Sequence, residues 1–236
     1  MKTLSIIGAA AIAEAIAFNA AFTALALQFD YPDILRRPAS EVLARFAEGG
    51  PALIATWYSF ALTAMALVPL GMALAFAGRG APQMRTAAAI LAALAGTVQA
   101  IGLLRWVFAV PALAALSGPQ DAAFIILNAW GGVAIGEHLG YVFTAAFLLA
   151  MAFADRAEAA LYRPVLAVLS ALGIVIGALE GLALVLQTSG EVFALFQIAG
   201  YAGLSLWLIL SGIVHLRAKW GRPAVPVRGG ANKDAG

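Results

Sequence analysis

The sequence predicts an all-α membrane protein with six transmembrane helices. Three observations carry this reading. Of 236 residues, 63% are hydrophobic and only 11% are charged; the mean hydropathy is +0.94; and six apolar runs of at least about 20 residues follow one another along the chain. A soluble globular domain carries roughly 25% charged residues, and about 20 apolar residues cover a hydrocarbon core of about 30 Å. Water is not the main solvent of such a chain.

The first run, Leu4–Gln28, follows Lys2 and contains Glu14 and Asn19. Its start, with Lys2 and Ala24-Leu25-Ala26, also has features of a secretory signal peptide. The run is longer than a typical signal core and Glu14 interrupts it, which favours a retained helix. Between this run and the second, Pro51–Gly78, lies the only long outer connection, Asp30 to Gly50. Tyr31-Pro32-Asp33 resists helix continuation because proline biases its predecessor to extended geometry. Ala39, Val42, Leu43, Phe46 and Ala47 then recur at helical spacing, with Gly49-Gly50 as a stop. The pattern predicts a short amphipathic helix on the outer surface, read as an interfacial anchor in preference to a lid. The third run, Ala87–Leu116, carries Gln99 and Arg105; the fourth, Phe124–Phe153, carries Glu137 and His138. The fifth, Pro164–Gln187, carries Glu180, and the sixth, Glu191–Leu216, carries Gln197 and His215. Residues 1–219 thus form one six-helix transmembrane domain. Residues 220–236, with Gly221, Pro223, Pro226, Gly229 and Gly230, lack apolar periodicity and are expected to be a disordered cytoplasmic tail.

Orientation follows from Lys and Arg. Lys2, then Arg79 and Arg85, then Arg156 and Arg163, then Arg217, Lys219, Arg222, Arg228 and Lys233 all fall on one side of the six runs. The opposite connections hold only Arg36, Arg37 and Arg45, mixed with Asp30, Asp33, Glu41 and Glu48. Both termini are therefore expected in the cytoplasm. The net charge of +2 is spread over short connections and the tail, which speaks against a nucleic-acid partner. With no cysteine, disulfides, thiolate nucleophiles, Fe–S clusters and Cys-ligated zinc are excluded.

A charge at mid-bilayer costs roughly 2.5–3.5 kcal/mol on insertion scales, so intramembrane ionisable groups point to function. Counting helical rise through a core of about 30 Å, the fourth run from its outer end at Phe124, puts Glu137 and His138 at roughly 10 Å above the cytoplasmic edge, Glu14 at roughly 15 Å and Gln99 at roughly 18 Å. The same count puts Asn19, Gln197, Glu180 and Arg105 at roughly 21–27 Å. A central and an outer polar layer result. In the outer layer Arg105 and Glu180 agree in depth and are expected to pair, the rival being an Arg105 that snorkels to headgroups. Glu180 also belongs to the stripe Ser170, Gly173, Gly177, Glu180, Leu184 and Gln187, whose small residues favour close helix approach. In the central layer Glu137, Tyr141 and Thr144 share one face, while His138 is turned about 100° from Glu137. A carboxyl without a partner in lipid favours its neutral form, so Glu137 and Glu14 are candidates for carrying protons. The competing reading has these carboxyls bonded to each other or to Gln99, fixing helix packing.

No metal or cofactor is indicated. His138 and His215 differ by roughly 8 Å in depth, which does not suit a haem held between them. His-x-x-x-His and Glu-x-x-His spacings are absent, as are a Walker loop, a dinucleotide fingerprint and a nucleophile elbow. Ala11-Ile12-Ala13-Glu14 echoes Ala134-Ile135-Gly136-Glu137, and Gln99-x-x-Gly102 echoes Gln197-x-x-Gly200. These short matches suggest a weak three-plus-three inverted repeat of the kind found in transporters.

Three separated segments carry a wider resemblance: Phe29-Asp30-Tyr31-Pro32-Asp33-Ile34-Leu35-Arg36, Leu104-Arg105-Trp106-Val107-Phe108-Ala109-Val110-Pro111, and Gly136-Glu137-His138-Leu139-Gly140-Tyr141-Val142-Phe143-Thr144. Together they resemble a bacterial family of six-helix membrane proteins catalogued as a domain of unknown function. The resemblance implies six helices and a bacterial inner-membrane setting, and it brings no catalytic residue with it. Function is then expected from the polar residues. The preferred reading is small-molecule or proton-coupled transport or binding, with Glu137, His138, Tyr141, Glu14 and Gln99 as the site and Arg105, Glu180, Gln197 and Asn19 as an outer layer. The alternatives are a membrane enzyme acting on a lipid or isoprenoid, with Glu137 as acid/base and His138 assisting, and a non-catalytic accessory subunit. Beyond the bilayer itself, the expected partner is a small-molecule ligand.

Overall fold

The computed structural model describes residues 2–116, 120–155 and 162–217. Six helices in it are long and apolar enough to cross a membrane. We label them α1 (Lys2–Phe29), α2 (Ala39–Ala77), α3 (Pro82–Ala114), α4 (Asp121–Asp155), α5 (Tyr162–Val185) and α6 (Glu191–Arg217). They coincide with the six apolar runs to within a few residues at most ends. The exception is α2, which absorbs the amphipathic segment. Their outward faces present a belt of large apolar side chains, among them Leu27, Ile126 and Val185 at 80%, 70% and 75% exposure. In water such a surface would aggregate; against lipid tails it is matched. The chain is a multi-pass membrane protein. The expected disordered tail, 220–236, and Arg156, Lys219, Arg222, Arg228 and Lys233 lie outside the described residues.

One end of the bundle carries the start of α1 and the end of α6. The other, here the capped end, carries residues 30–50. After α1 the chain turns through Tyr31-Pro32, a cis peptide, into a single 3₁₀ turn, Asp33–Arg36. α2 then runs for 39 residues with a break at Gly50 (φ 53°, ψ −148°). That backbone region is open essentially to glycine alone, so Gly50 allows one helix to be split into a capping limb and a spanning limb. The capping limb turns its main apolar residues inward. Val42 and Phe46, four residues apart and hence on one face, are 1% and 4% exposed and pack with Ile34, Leu35, Phe29 and Trp106. The two largest anchors of the loop's apolar stripe are thus seated in an aromatic cluster inside the protein, with Ala39 and Leu43 partly covered and Ala47 exposed. Its charged face is neutralised locally, with Arg37 2.6 Å from Asp30 and 2.7 Å from Glu41.

Two interior clusters follow. At the termini end, Leu74, Phe147, Leu148, Met151, Ile174 and Trp207 form a core with many alanines. At the capped end an aromatic cluster surrounds Trp57 and Trp106, whose rings stack at 4.8 Å and 10°. Between them the helices approach through small residues: a Cβ on Gly102 of α3 would overlap the Cα of Gly136 on α4, and Gly173 on α5 meets Gly200 on α6 in the same way. Ser170, Gly173 and Gly177 of the α5 stripe therefore make the close approach their spacing implied, against α6, while Leu184 and Gln187 at the far end of the stripe are exposed. α3 and α4 both widen into π-helix, over Arg105–Ala109 and Asn128–Leu139. Such widenings recur at functional sites because they re-aim side chains and free backbone groups. Both lie beside the cavity described next.

Candidate functional site

Between the two cores lies a cavity of about 170 Å³ walled by α1, α2, α3, α4 and α6, with Tyr31 of the loop as its roof. The helical period explains who lines it. Glu14, Phe18 and Phe22 are successive one-turn neighbours on α1; Glu137 and Tyr141 are one turn apart on α4; Gln197, Tyr201, Leu204, Ser205 and Leu208 form one face of α6. Gly102 and Gly136 bring α3 and α4 close enough for Arg105 and Glu137 to occupy the same wall. Asn19, Ile198 and Ala202 line the cavity and are at the same time exposed, so it opens sideways between α1 and α6.

The charges at the capped side are arranged in a way the rise count did not foresee. Glu180 pairs with Arg36, not with Arg105. Both Nε and Nη2 of Arg36 donate to Glu180 Oε1, at 3.0 and 2.6 Å, and Arg36 Nη2 stands 4.0 Å from Glu137 Oε2. Arg105, 7% exposed, donates from Nη2 to Asn128 Oδ1 at 3.0 Å and from Nη1 to the Gly102 carbonyl, and its guanidinium carbon lies 5.2 Å from the Trp106 ring centre. It neither pairs with Glu180 nor snorkels. The physical reason is that the loop folds back over the bundle and delivers a second arginine, while the π-winding of α4 offers Arg105 an amide at Asn128. Desolvation works against the charged form of Arg36, but Glu137 and Glu180 more than offset it and raise its pKa. Burial, with Glu137 adding to it, raises that of the Tyr31 phenol, so the phenol is a neutral donor at the cavity roof.

Deeper, a chain of neutral groups links three helices. Gln197 of α6 donates to the Tyr141 hydroxyl of α4; the Tyr201 hydroxyl donates to Gln99 Oε1 of α3 at 3.3 Å; Gln99 Nε2 donates to Thr144 Oγ1 of α4 at 2.9 Å. Tyr141 and Tyr201 meet edge to face at 5.5 Å. Asn19 of α1 donates to Ser205 Oγ of α6 at 2.9 Å, bridging those helices beside the opening. Glu14 lines the floor and has no hydrogen-bond or ion-pair partner among the described residues.

Of the residues singled out from sequence, Glu137, Tyr141, Glu14, Gln99, Arg105, Gln197 and Asn19 line this one cavity. The two polar layers thus line a single cavity: counted from its cytoplasmic end at Phe153, Glu137 is about 24 Å deep, level with Arg105 and Glu180, and Arg36 reaches down to it. Glu180 stands behind the wall and is tied in through Arg36. His138 is elsewhere: its ring Nδ1 is 3.0 Å from the Ala178 carbonyl, at the break between the two segments of α5. His215, 8% exposed, is turned inward with Nδ1 2.7 Å from the Ser211 carbonyl, and does not face headgroups. Sequence reasoning missed Arg36, Asn128 and the aromatic wall of Phe18, Tyr31, Trp57, Phe60, Trp106 and Tyr201. For Arg36 a signal was available: Ile34-Leu35, an apolar pair in a polar loop, has to be buried and carries the next residue with it.

Comparison with known proteins gives one match. A family model described as "Domain of unknown function (DUF4386)" covers residues 6–212, nearly the whole described chain. No curated protein and no solved structure matches.

Proposed function

This chain belongs to the DUF4386 family, and from its central cavity we propose that it is a small-molecule binding and transport protein of the bacterial inner membrane, with Glu137 as its protonatable group. The observation that carries the reading is the position of Glu137: it lines the cavity, its side chain is 17% exposed, and its nearest cation is 4.0 Å away. A carboxylate so loosely paired can exchange its ion pair for a proton without breaking a close contact, whereas the 2.6 Å bond from Arg36 holds Glu180 fixed. Tyr141, Gln99, Gln197 and Arg105 supply the donors and acceptors that would orient a ligand. The enzyme reading has less support, since His138 is committed to a backbone carbonyl and does not reach the cavity that Glu137 lines.

Native mass spectrometry of the detergent-purified protein tests this. A small molecule retained by the wild type and lost from Glu137→Gln, with flux of that molecule abolished in reconstituted vesicles, is the expected result. Equal retention and equal flux in the two proteins would overturn the role of Glu137. The orientation proposed with it puts the capped end outside. Because the chain has no cysteine, Glu48→Cys, at an exposed position of the capping limb, gives a single label site. An impermeant maleimide added to whole cells should modify it, and labelling only after lysis would reverse the topology.

A further inference from the structure

Resting on that binding reading, we propose that the ligand is an organic monocation about the size of one benzene ring, seated on Glu14 beside the packed rings of Phe18, Phe60 and Tyr201. Charge balance is the first argument. Arg36 and Arg105 carry two positive charges and Glu137 and Glu180 two negative ones, and the four lie together at the capped side of the cavity. That group closes on itself. Glu14, on the opposite side, is left as the one carboxyl lining the cavity that has neither an arginine nor a hydrogen-bond donor among the described residues. An unpaired carboxylate in such a place is costly unless a cation or a proton comes to it.

The second argument is what surrounds it. Phe18 lies one turn from Glu14 on the same face of α1, with Phe60 at 5.4 Å and Tyr201 at 5.7 Å between ring centres. Phe22 stands 6.3 Å from Phe60, and Tyr141 5.5 Å from Tyr201. These rings pack on one another and form one aromatic wall of the cavity, and aromatic rings attract substituted ammonium groups, most strongly where water is excluded. A carboxylate beside such rings selects for positive charge; neutral apolar molecules gain only the ring contact. The third argument is size. A cavity near 150 Å³ accepts benzene, and this one is about 170 Å³, which admits a compact cation of about that size, such as tetramethylammonium. The sideways opening at Asn19, Ile198 and Ala202 gives such a cation a route in.

The test uses three probes on the full chain in nanodiscs: tetramethylammonium, its uncharged isostere tert-butanol, and the anion pivalate. Binding is read by calorimetry and by quenching of the tryptophans, of which Trp57 and Trp106 line the cavity. The cation should bind at least about tenfold more tightly than the isostere, and the anion should not bind. Glu14→Gln should remove the cation's advantage while leaving the isostere within about twofold, and Phe18→Leu, which keeps an apolar side chain, should weaken the cation more than the isostere. If the isostere or the anion binds as well as the cation, the ligand class is wrong and the binding reading stands. If the cation binds equally well to Glu14→Gln and to Phe18→Leu, the assigned seat is wrong. If none of the three binds while the native mass spectra show a retained molecule, the monocation proposal alone fails; if nothing is retained either, both fail.

Discussion

Asp155→Ala should destabilise the protein by about 3–5 kcal/mol, the range found when one partner of a buried ion pair is removed. Asp155, at the end of α4, lies 2.8 Å from Arg163 in the first turns of α5, and the two side chains are only 3% and 5% exposed. The effect comes chiefly from the charge left behind. Arg163 would remain buried and lose its 2.8 Å contact with this carboxylate, at the junction where α4 hands the chain to α5. Unfolding in detergent, followed by denaturant or heat, measures the loss. Arg163→Met in the Asp155→Ala background should recover much of it, because an uncharged pair of similar volume carries no stranded charge. A single substitution that cost less than about 1 kcal/mol would show that the pair is hydrated and screened like a surface one.

Arg36→Ala should cost about 2–3 kcal/mol and loosen the capped end. The figure is below that for Asp155 because the Arg36 side chain is 30% exposed and solvent screens part of the interaction. Glu180, 10% exposed, would lose both of its donors, and Glu137 its nearest cation. Since Ile34 and Leu35 sit on the same 3₁₀ turn as Arg36, the loss should spread through the cap. Backbone hydrogen exchange at residues 33–46 should rise while that of α5 and α6 stays unchanged. Glu180→Gln added to Arg36→Ala should restore part of the stability by removing the stranded carboxylate. Unchanged exchange in the cap would mean that Val42, Phe46 and the aromatic seat hold it without the ion pair.

The two pairs also show how far local reasoning reaches. Asp155 and Arg163 flank one short connection, so a reader of the sequence can place them near each other. Arg36 and Glu180 are 144 positions apart, and rise along a helix places a residue in depth without saying which neighbour it faces. Depth matching joined Glu180 to Arg105 because both belong to membrane runs; it had no term for a loop that folds back across the bundle. The split of the polar residues into two layers failed for a different reason. It counted α4 from its outer end, at Phe124, along a run longer than the core; counted from Phe153, Glu137 is about 24 Å from the cytoplasmic edge, level with Arg105 and Glu180, and the π-winding from Asn128 to Leu139 shifts it only a little further. Gly131, Gly132 and Gly136 cluster there, but small residues in an apolar run signal close packing as readily as altered winding.

What the sequence determined by itself is the number of crossings, their limits and the small faces along which α5 and α6 meet. In lipid the backbone must satisfy its own hydrogen bonds, so an apolar run of sufficient length has helix as its only stable state, and length and composition decide it without reference to the rest of the chain. What only the tertiary structure decided is which group each polar residue meets: Arg36 with Glu180 and Glu137, Arg105 with Asn128, His138 with a carbonyl of α5, and Glu14 with a cavity wall and, among the described residues, no counter-charge. Those outcomes depend on the rotation of each helix about its axis, on local winding and on the fold of the capping loop. They are set by packing between segments far apart in the chain, which no local pattern encodes.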